Sequence, residues 1–217
     1  MDRERIRQQV LQLPIVKEYL AKFLRIASDF RQLTIEWNDC IDQGAEALRS
    51  ARISPVRAVA SLDAVINQLQ AILEKMTQTH DSYLVTLQRP PTLPPSIVLP
   101  SSSSSSSPSS AFPNVSILAD LQMPGTQTSA LALFAEYMDP TWLQYLDEFS
   151  FKSSGVLPSL ETIAALKDSG ADDLPPLLES QLTNLVLLWE LEPYRDGKED
   201  VKARESRLGV VDWKMAK

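Results

Sequence analysis

The feature that most constrains this sequence is a series of apolar residues whose spacing alternates between three and four positions. The series reads Phe23, Ile26, Phe30, Leu33, Trp37, Cys40 or Ile41, Gly44 and Leu48. Such alternation places the apolar residues in one stripe along a helix, and it is typical of coiled-coil-like packing. Because proline is tolerated in the first helical turn, the pattern predicts a helix over Pro14–Ser50.

A second series of the same kind follows after a short break. Ser54 suits an N-cap position and Pro55 suits the first helical position. The series continues through Val59, Leu62, Ile66, Leu69, Leu73, Met76, His80, Tyr83 and Leu87. It predicts a second helix over 55–87, almost as long as the first. Because a connection of a few residues makes matched helices antiparallel neighbours, we predict a helical hairpin over residues 1–88.

Residues 89–129 differ in kind from the predicted hairpin. They contain eight of the fifteen prolines and twelve serines, including the unbroken serine run 101–107. A stretch of this composition buries too little apolar surface to offset the entropy of ordering it. We therefore predict a disordered Pro/Ser-rich linker.

Helical spacing resumes over residues 130–194. Its first part follows Leu131, Phe134, Met138, Trp142, Leu146 and Phe149, and Asp139–Pro140 is expected to bend or restart that helix. A last helix is expected to be capped by Asp172 or Asp173 and ended by Pro193. Its inward-facing residues are predicted to be Leu177, Leu178, Gln181, Leu182, Leu185, Leu188 and Trp189. The predicted fold class is all-α, with these helices packing on the hairpin and a charged tail at 195–217.

Few side chains suited to catalysis are present. His80 is the only histidine and Cys40 the only cysteine, so zinc sites with two histidines and internal disulfides are excluded. No glycine-rich phosphate-binding motif occurs. Adjacent acidic residues such as Asp147 and Glu148 point in different directions on a helix, and we interpret them as a solvated face. The sequence therefore predicts no catalytic residue, no metal and no cofactor.

The net charge and the hydropathy of the sequence argue against two classes of binding partner. A net charge of −7 and a pI of about 4.8 argue against direct binding of nucleic acid. No apolar run reaches the length of about 18 residues that a membrane span needs, so no membrane is predicted. The first residues lack the apolar core of a signal peptide, which predicts an intracellular protein.

The seam residues of the helices are the candidate partner-binding positions. An isolated pair of helices leaves apolar surface that must be covered by the C-terminal helices, by a second copy or by another protein. The two tryptophans in these stripes fit core anchors or, alternatively, hot spots for a partner. The candidate set is Phe30, Leu33, Trp37, Ile66, Leu69, Leu73, Met76 and Trp189.

Two Ser-Pro pairs are candidate phosphorylation sites. Ser54 precedes Pro55 with Arg57 close behind, a spacing that proline-directed cyclin-dependent kinases accept. A phosphate there would lie at a helix N-terminus, where the helix dipole favours negative charge. The alternative is that Ser54 serves only as a helix cap. Ser107, before Pro108, is the second candidate.

Three stretches together resemble the cyclin-dependent kinase 2-interacting protein (CINP) family. The first is residues 29–38, DFRQLTIEWN, with Gly44 following; the second is 69–83; the third is 182–194, LTNLVLLWELEPY. In that family an aspartate, a leucine and a tryptophan recur with the first spacing, and a tryptophan followed shortly by Pro-Tyr closes the final helix. The likeness covers most of the chain except the serine-rich segment, while the tail after Tyr194 departs from the family pattern.

The resemblance implies a small non-catalytic adaptor. Members of the family are linked to cyclin-dependent kinases, to DNA replication and checkpoint signalling, and to a complex with AAA+ ATPases. That complex acts in maturation of the large ribosomal subunit. For this chain the resemblance implies a helical partner subunit, an AAA+ ATPase or a cyclin-dependent kinase as partner, and a location in the nucleus, the cytoplasm or both.

The leading hypothesis is therefore an adaptor that joins a hetero-oligomer rather than a homo-oligomer. One alternative is a coiled-coil structural subunit of a cytoskeletal or kinetochore-type complex. Others are an enzyme dependent on His80 or Asp172, and a dimerisation domain from a longer DNA-binding protein. The heptads alone show no charge pattern that decides between self-pairing and pairing with a different protein.

Overall fold

The computed structural model describes residues 9–91, 130–168 and 176–192, together with Ser206. All regular structure in these ranges is helical, so the all-α prediction is confirmed. The predicted linker beyond residue 91, the capping residues Asp172 and Asp173, Pro193, and the tail apart from Ser206 lie outside the described residues.

Five α-helices have both of their ends among the described residues. Helix α1 spans Pro14–Ser50, α2 spans Pro55–Gln88, α3 spans Ala130–Phe151, α4 spans Leu157–Asp168 and α5 spans Pro176–Leu191. Lys152–Val156 joins α3 to α4 in a π-helical conformation. The described chain forms two compact units, and α1, α2 and α3 each contribute to both.

The turn between α1 and α2 is closed by its own backbone. Ile53 N–H donates to the Ser50 carbonyl at 3.0 Å, which ends α1. The Ser54 carbonyl accepts the first hydrogen bond of α2 from Ala58 N–H, also at 3.0 Å. Proline has no backbone N–H, but its absence costs no hydrogen bond at Pro55, because an N–H at the first helical position has no partner within the helix. The turn residues thus provide the helix start that the sequence predicts.

Unit 1 contains the described residues before Asp29 and those between His80 and Asp139. Its core is an aromatic cluster. Phe23 of α1 packs against Tyr83 of α2 with ring centroids 5.8 Å apart and against Phe134 of α3 at 5.3 Å. Tyr19 adds an edge-on contact to Phe23 at 5.0 Å and donates its hydroxyl hydrogen to the Thr86 carbonyl at 3.1 Å. Edge-to-face pairs of this kind stabilise a core beyond the area they bury.

Unit 2 contains residues 29–79, the rest of α3, and α4 and α5. Between α1 and α2, Cys40 Sγ lies 3.6 Å from Gln68 Oε1, and Glu36 lies 3.9 Å from Lys75 Nζ. Trp37 meets Tyr145 of α3 edge-on, with centroids 5.0 Å apart. Helix α5 packs the buried Trp189 against Ile41 and Gly44 of α1.

The structure settles part of the predictions for the C-terminal helices. Helix α3 continues through Pro140 without a restart, a bend at Asp139–Pro140 stays a prediction, and the irregular segment is Lys152–Val156. The prediction for the inward-facing residues of the last helix was wrong in part. In α5 the buried residues are Leu178, Leu182, Leu185 and Trp189. Leu177, Gln181 and Leu188, predicted to face inward, are exposed. The seven predicted residues form an apolar stripe that is too wide to contact one neighbouring helix. The helix instead faces the core with the narrower series that ends in Trp189.

Candidate functional site

All eight predicted partner-binding residues lie in unit 2, and all are buried. The exposed fraction is at most 8% for each of Phe30, Leu33, Trp37, Ile66, Leu69, Leu73, Met76 and Trp189. Their side chains therefore contact other parts of the chain itself. Binding of a partner by these residues stays a prediction, and side chains accessible to a partner must be sought elsewhere.

Trp189 occupies a closely fitted site on α1. Its indole Nε1–H donates to the Ile41 carbonyl at 2.7 Å, although that carbonyl belongs to helix α1. The ring lies directly over Gly44: a Cβ at residue 44 would fall 2.1 Å from Trp189 Cζ2. Only glycine leaves room for the indole at this point. The pairing of Gly44 with Trp189 therefore fixes the position of α5 against α1 within unit 2.

A buried ion pair completes the surroundings of Trp189. Lys152 and Glu148 are one helical turn apart, form a salt bridge, and each has a side-chain exposure of 0%. The Lys152 ammonium also donates to the Trp189 carbonyl at 2.9 Å and lies 4.6 Å from the centroid of its ring. A buried charge requires such partners because its desolvation costs several kcal/mol, on the order of the attraction it gains. We refer to Gly44, Glu148, Lys152 and Trp189 as the Trp189 cluster.

The prediction that Glu148 belongs to a solvated face was wrong. Its neighbour Asp147 is exposed, but Glu148 points into the core toward Lys152. The signal was present in the sequence, since Glu148 and Lys152 are four residues apart and follow the helical period of Thr141 and Tyr145. A prediction based on apolar residues alone leaves out polar residues that occupy the same buried face of a helix. Both side chains of the ion pair are 0% exposed, so neither reaches the surface of the described structure.

His80 lies in unit 1 and is largely buried. Its Nε2 is 2.9 Å from Asp139 Oδ1, and its ring packs against Tyr83 with centroids 5.8 Å apart. The contact joins α2 to α3 directly before Pro140. Burial raises the pKa of both Tyr19 and Tyr83 to about 12, and the Asp139 carboxylate adds to the effect on Tyr83. With its Nε2 engaged by Asp139, His80 serves as a link between helices.

Cys40 is equally unsuited to nucleophilic chemistry. The thiol is buried beside Gln68, and burial raises its pKa, with the carboxylates of Asp39 and Glu36 raising it further. The thiolate is the reactive form, so a raised pKa lowers reactivity. Among residues 9–91, 130–168 and 176–192, no group of three His, Cys, Asp or Glu side chains is placed to hold a metal ion.

Of the two candidate phosphorylation sites, Ser54 lies among the described residues. Ser54 is half-buried at the N-terminus of α2, and Pro55 and Arg57 belong to the first helical turn. Its phosphorylation stays a prediction. Ser107 lies outside the described residues.

Unit 2 also carries large apolar side chains that remain exposed. The most concentrated group is on α5, where Leu177, Leu187, Leu188 and Leu191 are 71, 50, 39 and 70% exposed. Others are Ile53 and Val56 at the turn, Ile35 on α1, Leu143 and Leu146 on α3, and Leu166 on α4. Single exposed leucines are ordinary, whereas four on one short helix form an unusually apolar exposed surface. None of the described helices has both the length and the apolar character needed to cross a membrane.

Comparison of the chain with known protein families, with curated proteins and with solved structures gave no match.

Proposed function

We propose that this chain is a non-catalytic adaptor that binds helical partner proteins. The observation that carries the proposal is the group of four exposed leucines on α5. An adjacent side of the same helix is already buried through Leu178, Leu182, Leu185 and Trp189. A helix that is apolar on both sides has one side in the core and a second side available to a partner.

The state of the reactive side chains favours binding over catalysis. His80 contacts Asp139, Cys40 is buried with a raised pKa, and the Lys152 ammonium is enclosed by Glu148 and Trp189. A general base, nucleophile or Schiff-base lysine must reach its substrate. Each of these groups instead has a contact within the protein that accounts for its position.

We further propose that α1 and α2 form one antiparallel coiled-coil-like hairpin. Supporting contacts occur in each unit and run in opposite directions along the two helices. In unit 2, Glu36 pairs with Lys75 and the later Cys40 with the earlier Gln68. In unit 1, Tyr19 and Phe23 show the same order against Thr86 and Tyr83. Within unit 2, the part of the hairpin formed by α1 would hold α5 through Gly44 and Ile41.

The resemblance to the CINP family supplies the proposed setting. We propose that the adaptor works in a hetero-oligomer with a helical partner subunit and an AAA+ ATPase, linked to maturation of the large ribosomal subunit and to DNA replication and checkpoint signalling. A cyclin-dependent kinase is a further proposed partner, and the location is the nucleus, the cytoplasm or both. This part rests on residues 29–38, 69–83 and 182–194.

Affinity purification of the full chain from its native cells tests the proposal. The expected result is recovery of an AAA+ ATPase and a second helical subunit in fixed stoichiometry, and recovery of this chain when the ATPase is tagged instead. An acidic helical protein of similar size, tagged in the same way, is the background control. Recovery of the chain alone, or only with cytoskeletal or kinetochore subunits, would contradict the adaptor proposal and favour the structural alternative.

A further inference from the structure

The turn between α1 and α2 is basic although the protein as a whole is acidic. Residues 47–62 contain Arg49, Arg52 and Arg57 and no aspartate or glutamate, whereas the whole chain has 28 acidic residues against 21 basic ones. Arg49 forms an ion pair with Glu190 of α5. Arg52 and Arg57 are exposed, and neither forms an ion pair with another described residue. Their positive charge is therefore available to another molecule.

Lys167 of α4 adds a further cation to the turn. Its Nζ lies 3.5 Å from the Arg52 carbonyl oxygen, and all of these residues belong to unit 2. Lys167 likewise forms no ion pair among the described residues. The Arg52 guanidinium donates to the Thr183 hydroxyl of α5 at 3.2 Å. Because a guanidinium has five N–H donors, this contact leaves Arg52 able to bind a carboxylate as well.

Ile53 and Val56 place apolar side chains beside these cations. Ile53 is 86% exposed, the highest value among the large apolar side chains of the described residues, and Val56 is 60% exposed. Turns are usually built from Gly, Pro, Asn, Asp or Ser, each for a backbone reason that isoleucine does not share. The hydrogen bonds that close this turn involve the backbone amides of Ile53 and Ser54 and not the isoleucine side chain. Folding of the turn therefore does not require an isoleucine at residue 53.

We propose that this surface binds a short acidic segment of a partner protein. We call it the basic turn surface and define it as Arg52, Ile53, Val56, Arg57 and Lys167. A carboxylate accepts paired hydrogen bonds from a guanidinium in a geometry that orients both groups. Such charge complementarity speeds association and excludes partners of like charge. Because Ile53 and Val56 can contact an apolar side chain, the bound segment contains at least one large apolar residue next to its carboxylates.

The composition of the basic turn surface argues against nucleic acid and membranes as its ligand. A DNA-binding surface that works through phosphates contacts about six to ten of them, and this chain has a net charge of −7. Binding to an anionic membrane takes clusters of about four to eight basic residues. The apolar side chains of Ile53 and Val56 would add nothing to contacts with phosphates. A protein segment that combines carboxylates with an apolar residue matches both parts of the surface.

Ser54 lies in the same stretch and gives the basic turn surface a means of regulation. It follows Ile53 directly and precedes Pro55 and Arg57, the spacing that proline-directed kinases accept. A phosphate adds a charge of about −1.5 to −2 near neutral pH. Between Arg52 and Arg57 in the sequence, it would compete with the acidic segment for the same guanidinium groups. Phosphorylation of Ser54 would therefore release the segment.

This inference rests on the proposed adaptor function and names one surface that performs it. To test it, the photo-crosslinker p-benzoylphenylalanine is placed at residue 53 of the full chain in its native cells. The matched control carries the crosslinker at Ile35 of α1, which is 48% exposed. We expect residue 53 to label one segment of one other protein, in which carboxylates lie next to a large apolar residue. Adducts with nucleic acid, with lipid or with this chain itself, the same adducts from residue 35, or no adduct would overturn the inference.

A binding measurement with matched variants follows. The labelled segment, synthesised as a peptide, is titrated against the full chain and against Ile53→Ser/Arg57→Glu, which leaves Arg52 in place. The control variant Ile35→Ser/Arg25→Glu makes the same chemical changes at exposed residues of α1. We expect a loss of affinity of about ten-fold or more in the first variant and wild-type affinity in the control, with equal thermal stability by circular dichroism. Equal affinities of the two variants would overturn the inference.

Two further readouts test the role of charge. The affinity of the unchanged chain should fall as ionic strength rises, because the contacts join exposed charges. Ser54→Asp should bind the peptide about three-fold more weakly than Ser54→Asn, because the two side chains are both suited to an N-cap and differ by one charge. Affinity that is independent of salt, or equal in these two variants, would overturn the inference. If these tests fail while purification still recovers the AAA+ ATPase, the basic turn surface is wrong and the adaptor proposal stands.

Discussion

Replacing Gly44 with alanine tests how closely α1 and α5 fit together in unit 2. In an open helix this change stabilises a protein by about 0.5–1 kcal/mol, because alanine loses less backbone entropy than glycine. At residue 44 the added methyl group would lie 2.1, 2.4 and 2.7 Å from three atoms of the Trp189 indole. Real contacts of a Cβ are much longer than these distances. Either the indole or the helix must therefore move.

The indole cannot move without breaking other contacts. Its Nε1–H bond to the Ile41 carbonyl would be lost, and leaving buried polar groups unpaired costs about 1–3 kcal/mol. Overpacking a core adds about 1–3 kcal/mol. With the gain in helix propensity subtracted, Gly44→Ala is expected to lower the free energy of unfolding by about 1–5 kcal/mol. For a chain of this size each kcal/mol lowers Tm by roughly 2–4 °C.

Urea unfolding followed by far-ultraviolet circular dichroism gives the free energy directly. Gly155→Ala is the matched control, because a Cβ at that residue would meet Phe151 at an ordinary 3.7 Å. It should leave stability unchanged or raise it slightly. In a background of Trp189→Leu, where the indole is absent, most of the cost of Gly44→Ala should disappear. A Gly44→Ala protein as stable as the wild type, or an undiminished cost in the Trp189→Leu background, would refute the reasoning.

Three further predictions concern buried polar groups. Lys152→Met should lower the free energy of unfolding by about 3–5 kcal/mol, because it leaves the Glu148 carboxylate buried and uncompensated. The double variant Lys152→Met/Glu148→Leu should recover much of that loss in urea unfolding. Equal stability of the single and the double variant would contradict this prediction. Tyr19 and Tyr83, whose pKa values are raised to about 12, hold their protons in the folded state where an unfolded tyrosine with a pKa near 10 has lost them. Stability should therefore fall as the pH rises from about 10 to 12, and near-ultraviolet absorbance should show phenolate appearing late; ionisation of both near pH 10 in the folded protein would be the contrary result. Cys40, with its raised thiol pKa, should react with a disulfide reagent at pH 8 far more slowly in the folded protein than in urea, and equal rates would show that the thiol is accessible.

The bounds of α1 and α2 could be predicted from the sequence because their signals agree. A seam of alternating three and four steps specifies a helix, and Pro14 and Pro55 mark the starts that the structure shows. The inner face of α5 could not be predicted in the same way. Leucines at 177, 178, 187 and 188 give the helix more than one apolar stripe, so periodicity alone leaves its rotation undetermined.

The Trp189 cluster was missed for a different reason. Glycine in the middle of a helix suggests a weak point, and a Glu–Lys pair one turn apart suggests a solvent-exposed ion pair. Both features acquire their meaning only from Trp189, which is distant in sequence and lies over Gly44 and Lys152 in space. Contacts between residues far apart in the chain are not encoded in local spacing. The start of α2 at Pro55, which depends only on neighbouring residues, was by contrast predictable.

The fit of Gly44 under Trp189 also has a consequence for the history of this sequence. The glycine, the tryptophan and the buried Glu148–Lys152 pair cannot change one at a time without loss. Substitutions at these four positions should therefore be rare or occur together, while surface residues around them change freely. A glycine in a long first helix, a Glu-x-x-x-Lys step in a later helix and a tryptophan in the last one form a sparse signature. Such a signature can identify distant relatives after overall similarity has disappeared.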